Sequence, residues 1–289
     1  MPTSDSSRSS QSLHSSRDSR TAQATRSFRV MSKDGTTLAV DAIGEGTPVV
    51  LVGGAFNDRS TVAALAAALA PGHTAVTYDR RGRSGSDDRS VGFHVRDEID
   101  DIAAVIAHVG GRASVFGHSS GAVLALEAAL HGVPVERVAV YEPALHADAD
   151  LPHPSAGTLG DLKVLVAAGD RDGATQYFMS RILFVPEDVV ATIRSGQGWA
   201  FLTAHALTLP YDVLLSRPWE LVDRDRFGAL DVPVLAMYGD RTSPALQAAT
   251  CAVAESVPGA GLLAIPGEDH SVLQHPEAIG PALAEFFGG

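Results

Sequence analysis

The pentapeptide Gly117-His-Ser119-Ser-Gly121 stands between a strand-like run at 113–116 and a small, apolar, helix-like run at 122–126. Gly-x-Ser-x-Gly alone means little, because glycine and serine are common. A strand before it and a helix after it make the pattern a specific structural claim. A chain that passes from strand to helix within two residues must turn sharply. The serine then takes a strained backbone, and the flanking glycines let strand and helix approach closely. The pattern therefore demands an α/β arrangement and marks Ser119 as a nucleophile held on a tight turn.

The rest of the chain repeats the alternation. Lys33-Asp34-Gly35-Thr36 separates two short β-prone runs at 28–30 and 37–40, a hairpin signal. Pro48-Val-Val-Leu-Val52 is continuously apolar and ends at Gly53-Gly54, as suits a strand buried on both faces. Helices are predicted over 61–70, 95–109, about 122–131, from 244 and over 276–287, with strands at 73–78, 113–116, 138–141, 233–238 and 262–265. Such alternation implies right-handed crossovers, a mostly parallel sheet, and loops gathered at the strands' carboxyl ends. Between 146 and 228 the rhythm breaks into short helical segments at 158–168, 171–184, 186–195 and 200–209.

Composition limits the partners. Lys plus Arg total 22 against 34 Asp plus Glu, a formal net charge of −12 in 289 residues. That charge repels nucleic acid and anionic membrane surfaces, so neither is expected as a partner. No run approaches the ~20 apolar residues of a membrane helix. Residues 1–27 are rich in Ser and Arg, poor in apolar residues, and read as a disordered tail. The single cysteine, Cys251, excludes an internal disulfide and reads as a small buried thiol on an Ala-rich helix. A cytoplasmic protein is the expectation; oligomeric state is left open.

A serine hydroxyl needs a base to take its proton, a carboxylate to orient that base, and donors for the oxyanion. Among eleven histidines, His270 follows the last strand and precedes the last helix. This puts it at the same sheet edge as Ser119. His118 adjoins the nucleophile, but its side chain is expected to point elsewhere. The Ser120 N–H at the helix start is one oxyanion donor. The other comes from Gly53-Gly54-Ala55-Phe56, with Ala55 preferred and Phe56 next.

With the loop Tyr78-Asp79-Arg-Arg-Gly82-Arg-Ser84-Gly85-Ser86, these motifs make residues 28–289 resemble the α/β-hydrolase superfamily, whose chain order is nucleophile, acid, histidine. The resemblance implies a serine-nucleophile member. Its core would be 28–145 and 229–289, with a helical cap at 146–228. The superfamily's usual acid position after the strand ending at Tyr238 holds Thr242, with Asp240 two residues early. Some members carry the acid after the strand that follows the nucleophile's helix, where this chain has Glu142. Glu142 is ranked first and Asp240 second.

Eight of the chain's seventeen aromatics lie in the expected cap: Tyr177, Phe178, Phe184, Trp199, Phe201, Tyr211, Trp219 and Phe227. They suit either an apolar pocket or the cap's own packing. His146, Asp148, Asp150 and His153 have metal-ligand residue types, but nothing fixes them on one face, so no metal is expected. Nor is any cofactor. The expected activity is hydrolysis of an uncharged, apolar, small-molecule ester, thioester or lactone. An acyltransferase, perhydrolase or C–C hydrolase could use the same residues, and a non-catalytic binding protein could use the same fold.

Overall fold

The computed structural model describes residues 24–217 and 220–289. The tail expectation for residues 1–23 and the cap aromatic Trp219 lie outside the described residues.

The apolar runs form one eight-stranded sheet in the order β1-β2-β4-β3-β5-β6-β7-β8. The strands are β1 (Arg26–Met31), β2 (Thr37–Ile43), β3 (Thr47–Val52), β4 (His73–Tyr78), β5 (Ala113–His118), β6 (Val135–Tyr141), β7 (Val234–Gly239) and β8 (Gly261–Ile265). The first two pair antiparallel and β2 meets β4 antiparallel; every pairing from β4 through β8 is parallel. Parallel strands need crossovers, which include the helices α1 (Ala63–Leu69), α2 (Val95–His108), α3 (Ser120–Leu130) and α10 (Pro244–Ser256); α11 (Pro276–Gly288) follows the last strand and packs on the sheet.

The first strand corrects the tail boundary. Arg26 and Ser27 are already in β1, paired with Ala42 and Asp41, and Ser27 Oγ donates to Asp41 Oδ1. A polar edge residue gives no hydrophobic signal, so the ladder and not the side chains sets that start.

Apolar side chains fill both faces of the sheet. One cluster joins α2 and α3 to β3, β5 and β6 through Val52, Ile102, Val123 and Val140. The other places Leu65 of α1 and Leu283 of α11 against Leu51, Phe116 and Met237. Burial on both faces explains why β3 reads as an unbroken apolar run.

Between β6 and β7 lie α4 (Thr158–Ala167), α5 (Arg171–Tyr177), α6 (Glu187–Arg194), α7 (Trp199–Ala204), α8 (Leu209–Leu215) and α9 (Arg224–Phe227). The single helix expected over 171–184 is α5 followed by a π-turn, Phe178–Ile182. The helix expected over 200–209 is α7, a 3₁₀ turn and then α8, which starts with Pro210 in its first turn. This insertion has its own core around Leu162, Phe178, Leu209 and Val213, which Phe56 joins. Cys251 is half-buried, not buried as expected, because α10 turns Ala249, Thr250, Ala252 and Val253 inward instead.

Candidate active site

Strand β5 runs into α3 through Ser119, whose φ of 58° and ψ of −122° are unfavourable for a residue with a Cβ. Two glycines make the turn feasible. A Cβ on Gly121 would overlap the carbonyl oxygens of Val52 and Gly53, and one on Gly117 would overlap the Gly121 carbonyl. Any side chain at either position would force α3 away from β3 and β5. The half-buried Ser119 is thereby lifted to the carboxyl edge of the sheet.

The sequence's first-ranked acid stands at the next strand end. Glu142 follows Tyr141 of β6, is fully buried, and also holds a positive φ of 47°. Its Oε1 accepts from the Gly239 N–H at 2.9 Å, and its Oε2 lies 2.6 Å from His270 Nδ1. A carboxylate only accepts, so this contact places the imidazole proton on Nδ1 and leaves the Nε2 lone pair free. Asp240 is elsewhere: it is exposed, and its Oδ1 accepts from the Gly267 N–H at 2.8 Å. It orders the loop after β8 and makes no bond to His270, which corrects its candidacy. The two-residue displacement noted in the sequence is what carries it out of reach.

His270 is also held by groups that the sequence did not suggest. The ring of His118 packs against it with centroids 4.6 Å apart and planes tilted by 35°, and His118 Nε2 donates to the His270 carbonyl at 2.9 Å. Burial, with the neighbouring His270, pushes the His118 pKa down to about 3, so this ring stays neutral. Its Nδ1 has no hydrogen-bond partner. The Tyr141 hydroxyl donates to the Asp269 carbonyl at 2.8 Å; burial and then the Glu142 charge raise its pKa and keep the proton in place.

Ser119 and His270 line the same cavity of about 430 Å³, with Ala55 and Ser120. No direct hydrogen bond joins Ser119 Oγ to His270; such contacts commonly tighten only when substrate binds. Insertion residues Phe178, Ile182, Phe184 and Val213 form an apolar wall opposite. Of the insertion's described aromatics, only Phe178 and Phe184 reach the cavity. Tyr211 stacks on Phe93, Phe227 enters the main core, and Trp199 donates to Asp172. The aromatic enrichment thus serves packing more than the cavity. Among the described residues, no group of three or more His, Cys, Asp or Glu side chains is placed to hold a metal; the His146 and His153 rings simply face each other at 4.5 Å.

The Gly53–Gly54 loop meets Ser119 directly, since a Cβ on Gly54 would lie 2.7 Å from Ser119 Cβ. Ala55 faces the cavity. Phe56 has a φ of 59° and turns its ring into the insertion, edge-on to Phe178 at 5.3 Å. It does not line the cavity.

Beneath this floor lies a charged cluster that composition cannot reveal. Arg80 and Arg83 are buried with Glu98 of α2 and Asp212 of α8. Arg80 pairs with Glu98 at 2.7 Å and with Asp212 at 2.7 Å, while Arg83 meets both Asp212 oxygens at 2.8 and 2.9 Å. Burial alone would raise the Asp212 pKa; Arg83, Arg80 and the Ser120 hydroxyl outweigh it and hold the carboxyl below the usual range. The available signal was a lone acid in the apolar run Leu209–Leu215.

Comparison with known proteins gives a consistent family. The profile described as "Alpha/beta hydrolase family" matches residues 49–282. An alpha/beta hydrolase from Sphaerobacter thermophilus superposes with a TM-score of 0.84 at 39% identity, covering 90% of this chain and 100% of that one. A 2-(acetamidomethylene)succinate hydrolase from Mesorhizobium japonicum is 26% identical over 86% of this chain and 91% of its own length. An uncharacterized hydrolase of Bacillus subtilis, YraK, is 35% identical over a region spanning 38% of this chain and only 42% of that protein.

Proposed function

Since the chain belongs to the alpha/beta hydrolase family, we propose that it is a serine hydrolase that cleaves a carboxylic ester, thioester or lactone through an acyl-enzyme. The observation that carries this reading is the 2.6 Å contact between buried Glu142 and His270 beside a serine on a strained turn. A strained backbone at a residue that lines the cavity points to function.

Ser119 Oγ attacks the carbonyl carbon as its proton passes to His270 Nε2. The charge on His270 is stabilised by Glu142, and the oxyanion is held by the Ala55 and Ser120 N–H groups. Collapse of the adduct breaks the bond to the alcohol or thiol, which leaves with the proton from Nε2. Water then gives a proton to Nε2 and attacks the acyl carbon, and Ser119 recovers its proton. The proton that leaves with the alcohol or thiol is replaced by one from water, so substrate and water alone balance the cycle and restore Ser119 and His270. Apolar residues across the cavity favour a neutral, apolar acyl or alcohol group.

A fluorophosphonate probe tests the nucleophile. Wild type should be labelled and Ser119→Ala should not. Equal labelling of both would sink the reading. A panel of neutral 4-nitrophenyl esters and lactones of graded chain length should then show turnover that Ser119→Ala lacks.

A further inference from the structure

We propose that Asp212, reaching in from the insertion, is a positioning residue for both oxyanion donors, acting on Ala55 through Arg83 and on Ser120 through its hydroxyl. The inference rests on the reading of Ser119 as nucleophile and deepens it.

The argument starts from one peptide plane. In a trans peptide the carbonyl of residue 54 and the N–H of residue 55 point in opposite directions. Arg83 Nη1 donates to the Gly54 carbonyl at 2.6 Å from beneath the floor. The Ala55 N–H of the same plane is therefore aimed the other way, toward the cavity that Ala55 lines. A charged donor on the carbonyl also polarises the peptide and makes its N–H a stronger donor.

The same Nη1 donates to the Asn57 carbonyl at 3.1 Å, so one guanidinium bridges both ends of the turn 54–57. That turn contains Phe56 at a φ of 59°, which costs energy for an aromatic residue and persists only if surroundings impose it. Arg83 is in turn fixed by Asp212, whose two carboxylate oxygens both accept from its Nη2. A lysine, with a single nitrogen, could not hold Asp212 and span to Gly54 as the two terminal nitrogens of Arg83 do.

The second donor is tied to the same carboxylate. Ser120 Oγ donates to Asp212 Oδ1 at 2.6 Å and accepts from Arg80 Nη1 at 3.2 Å. Ser120 is the first residue of α3, so anchoring its side chain fixes the direction of its own N–H. A single carboxylate on α8, 92 residues beyond Ser120, thus sets both halves of the anion site. The oxyanion site is complete only when the insertion is seated.

The test compares wild type with Asp212→Asn, Ser120→Ala and Ser119→Ala. The readouts are kcat and KM on 4-nitrophenyl butyrate, the second-order rate of fluorophosphonate labelling, and inhibition by an alkyl trifluoromethyl ketone, whose serine adduct mimics the tetrahedral state. Displacing donors should lower kcat for Asp212→Asn by about 100-fold and leave KM within about threefold, because the contact matters only in the transition state. Labelling rate and ketone affinity should fall in parallel. Ser120→Ala keeps every buried charge paired and serves if Asp212→Asn fails to fold; it should lose about tenfold in kcat. A folded Ser120→Ala and Asp212→Asn with wild-type kcat and wild-type ketone affinity overturn the proposal, as does a loss confined to KM. If wild type is not labelled, or Ser119→Ala is labelled equally, the nucleophile reading has failed and takes this proposal with it.

Discussion

Two buried carboxylates flank Ser119, and their partners differ. Glu142 at the end of β6 faces a histidine, whose ring can accept and return a proton at Nε2. Asp212 on α8 faces two arginines, which never lose their charge. The first pair can respond to a proton arriving on Nε2, and the second can only stay fixed. On the proposed mechanism, one side of the site moves charge and the other holds geometry. Replacing a carboxylate by its amide should therefore have different signatures on the two sides.

The largest effect is expected at Glu142. Glu142→Gln removes the acceptor that sets the His270 tautomer, and turnover of a neutral ester should fall by roughly 10³–10⁴-fold. Asp240→Asn should stay within about threefold of wild type, since exposed loop substitutions are usually mild. Steady-state kinetics on both variants decide the matter. A comparable loss in Asp240→Asn would reverse the assignment.

Next in size is the cost of opening the fixed side. Arg80→Met leaves Glu98 buried and deprives Asp212 of one partner, so stability should fall by about 3–5 kcal/mol in urea unfolding at neutral pH. The exposed pair Arg224–Glu255, at 2.8 Å, offers the contrast. Its removal by Arg224→Ala should cost less than ~1 kcal/mol. A loss below that level for Arg80→Met would mean the cluster is no more than a surface-like ion pair.

The two sides also differed in how readable they were. The elbow at Ser119, the strand-end position of Glu142 and the loop position of His270 follow from chain order and strand–helix alternation. In a parallel sheet, sequence order alone brings strand ends to one edge. The displacement of Asp240 was visible as a two-residue shift. Asp212 had no such frame, because α8 sits in an insertion whose helices are placed by packing and not by a sheet. Its meeting with Arg80 and Arg83 spans more than a hundred residues, and no local periodicity encodes it. The same holds for His118, whose role against His270 depends on which way two rings turn.

That ring pair gives the smallest effect and the most direct probe of the proton-handling side. His118 is neutral in the fold, with a pKa pushed down to about 3, while an unfolded histidine titrates near 6.5. Between those values the unfolded chain binds more protons, so His118 contributes full stability above about pH 6.5 and loses it as pH falls toward 3. Asp101 works the other way, because burial raises its pKa to about 6 and acidification through that range favours the fold. Comparing wild type with His118→Gln cancels the Asp101 contribution, which both share. Each pKa unit is worth ~1.4 kcal/mol, so wild type should lose ~2.5 kcal/mol more than His118→Gln between pH 7 and pH 4.5. The slope and not the absolute stability is decisive, because the substitution also removes the ring contact with His270. Urea unfolding at several pH values would show it, and parallel curves for the two proteins would mean that His118 takes up its proton in the folded state.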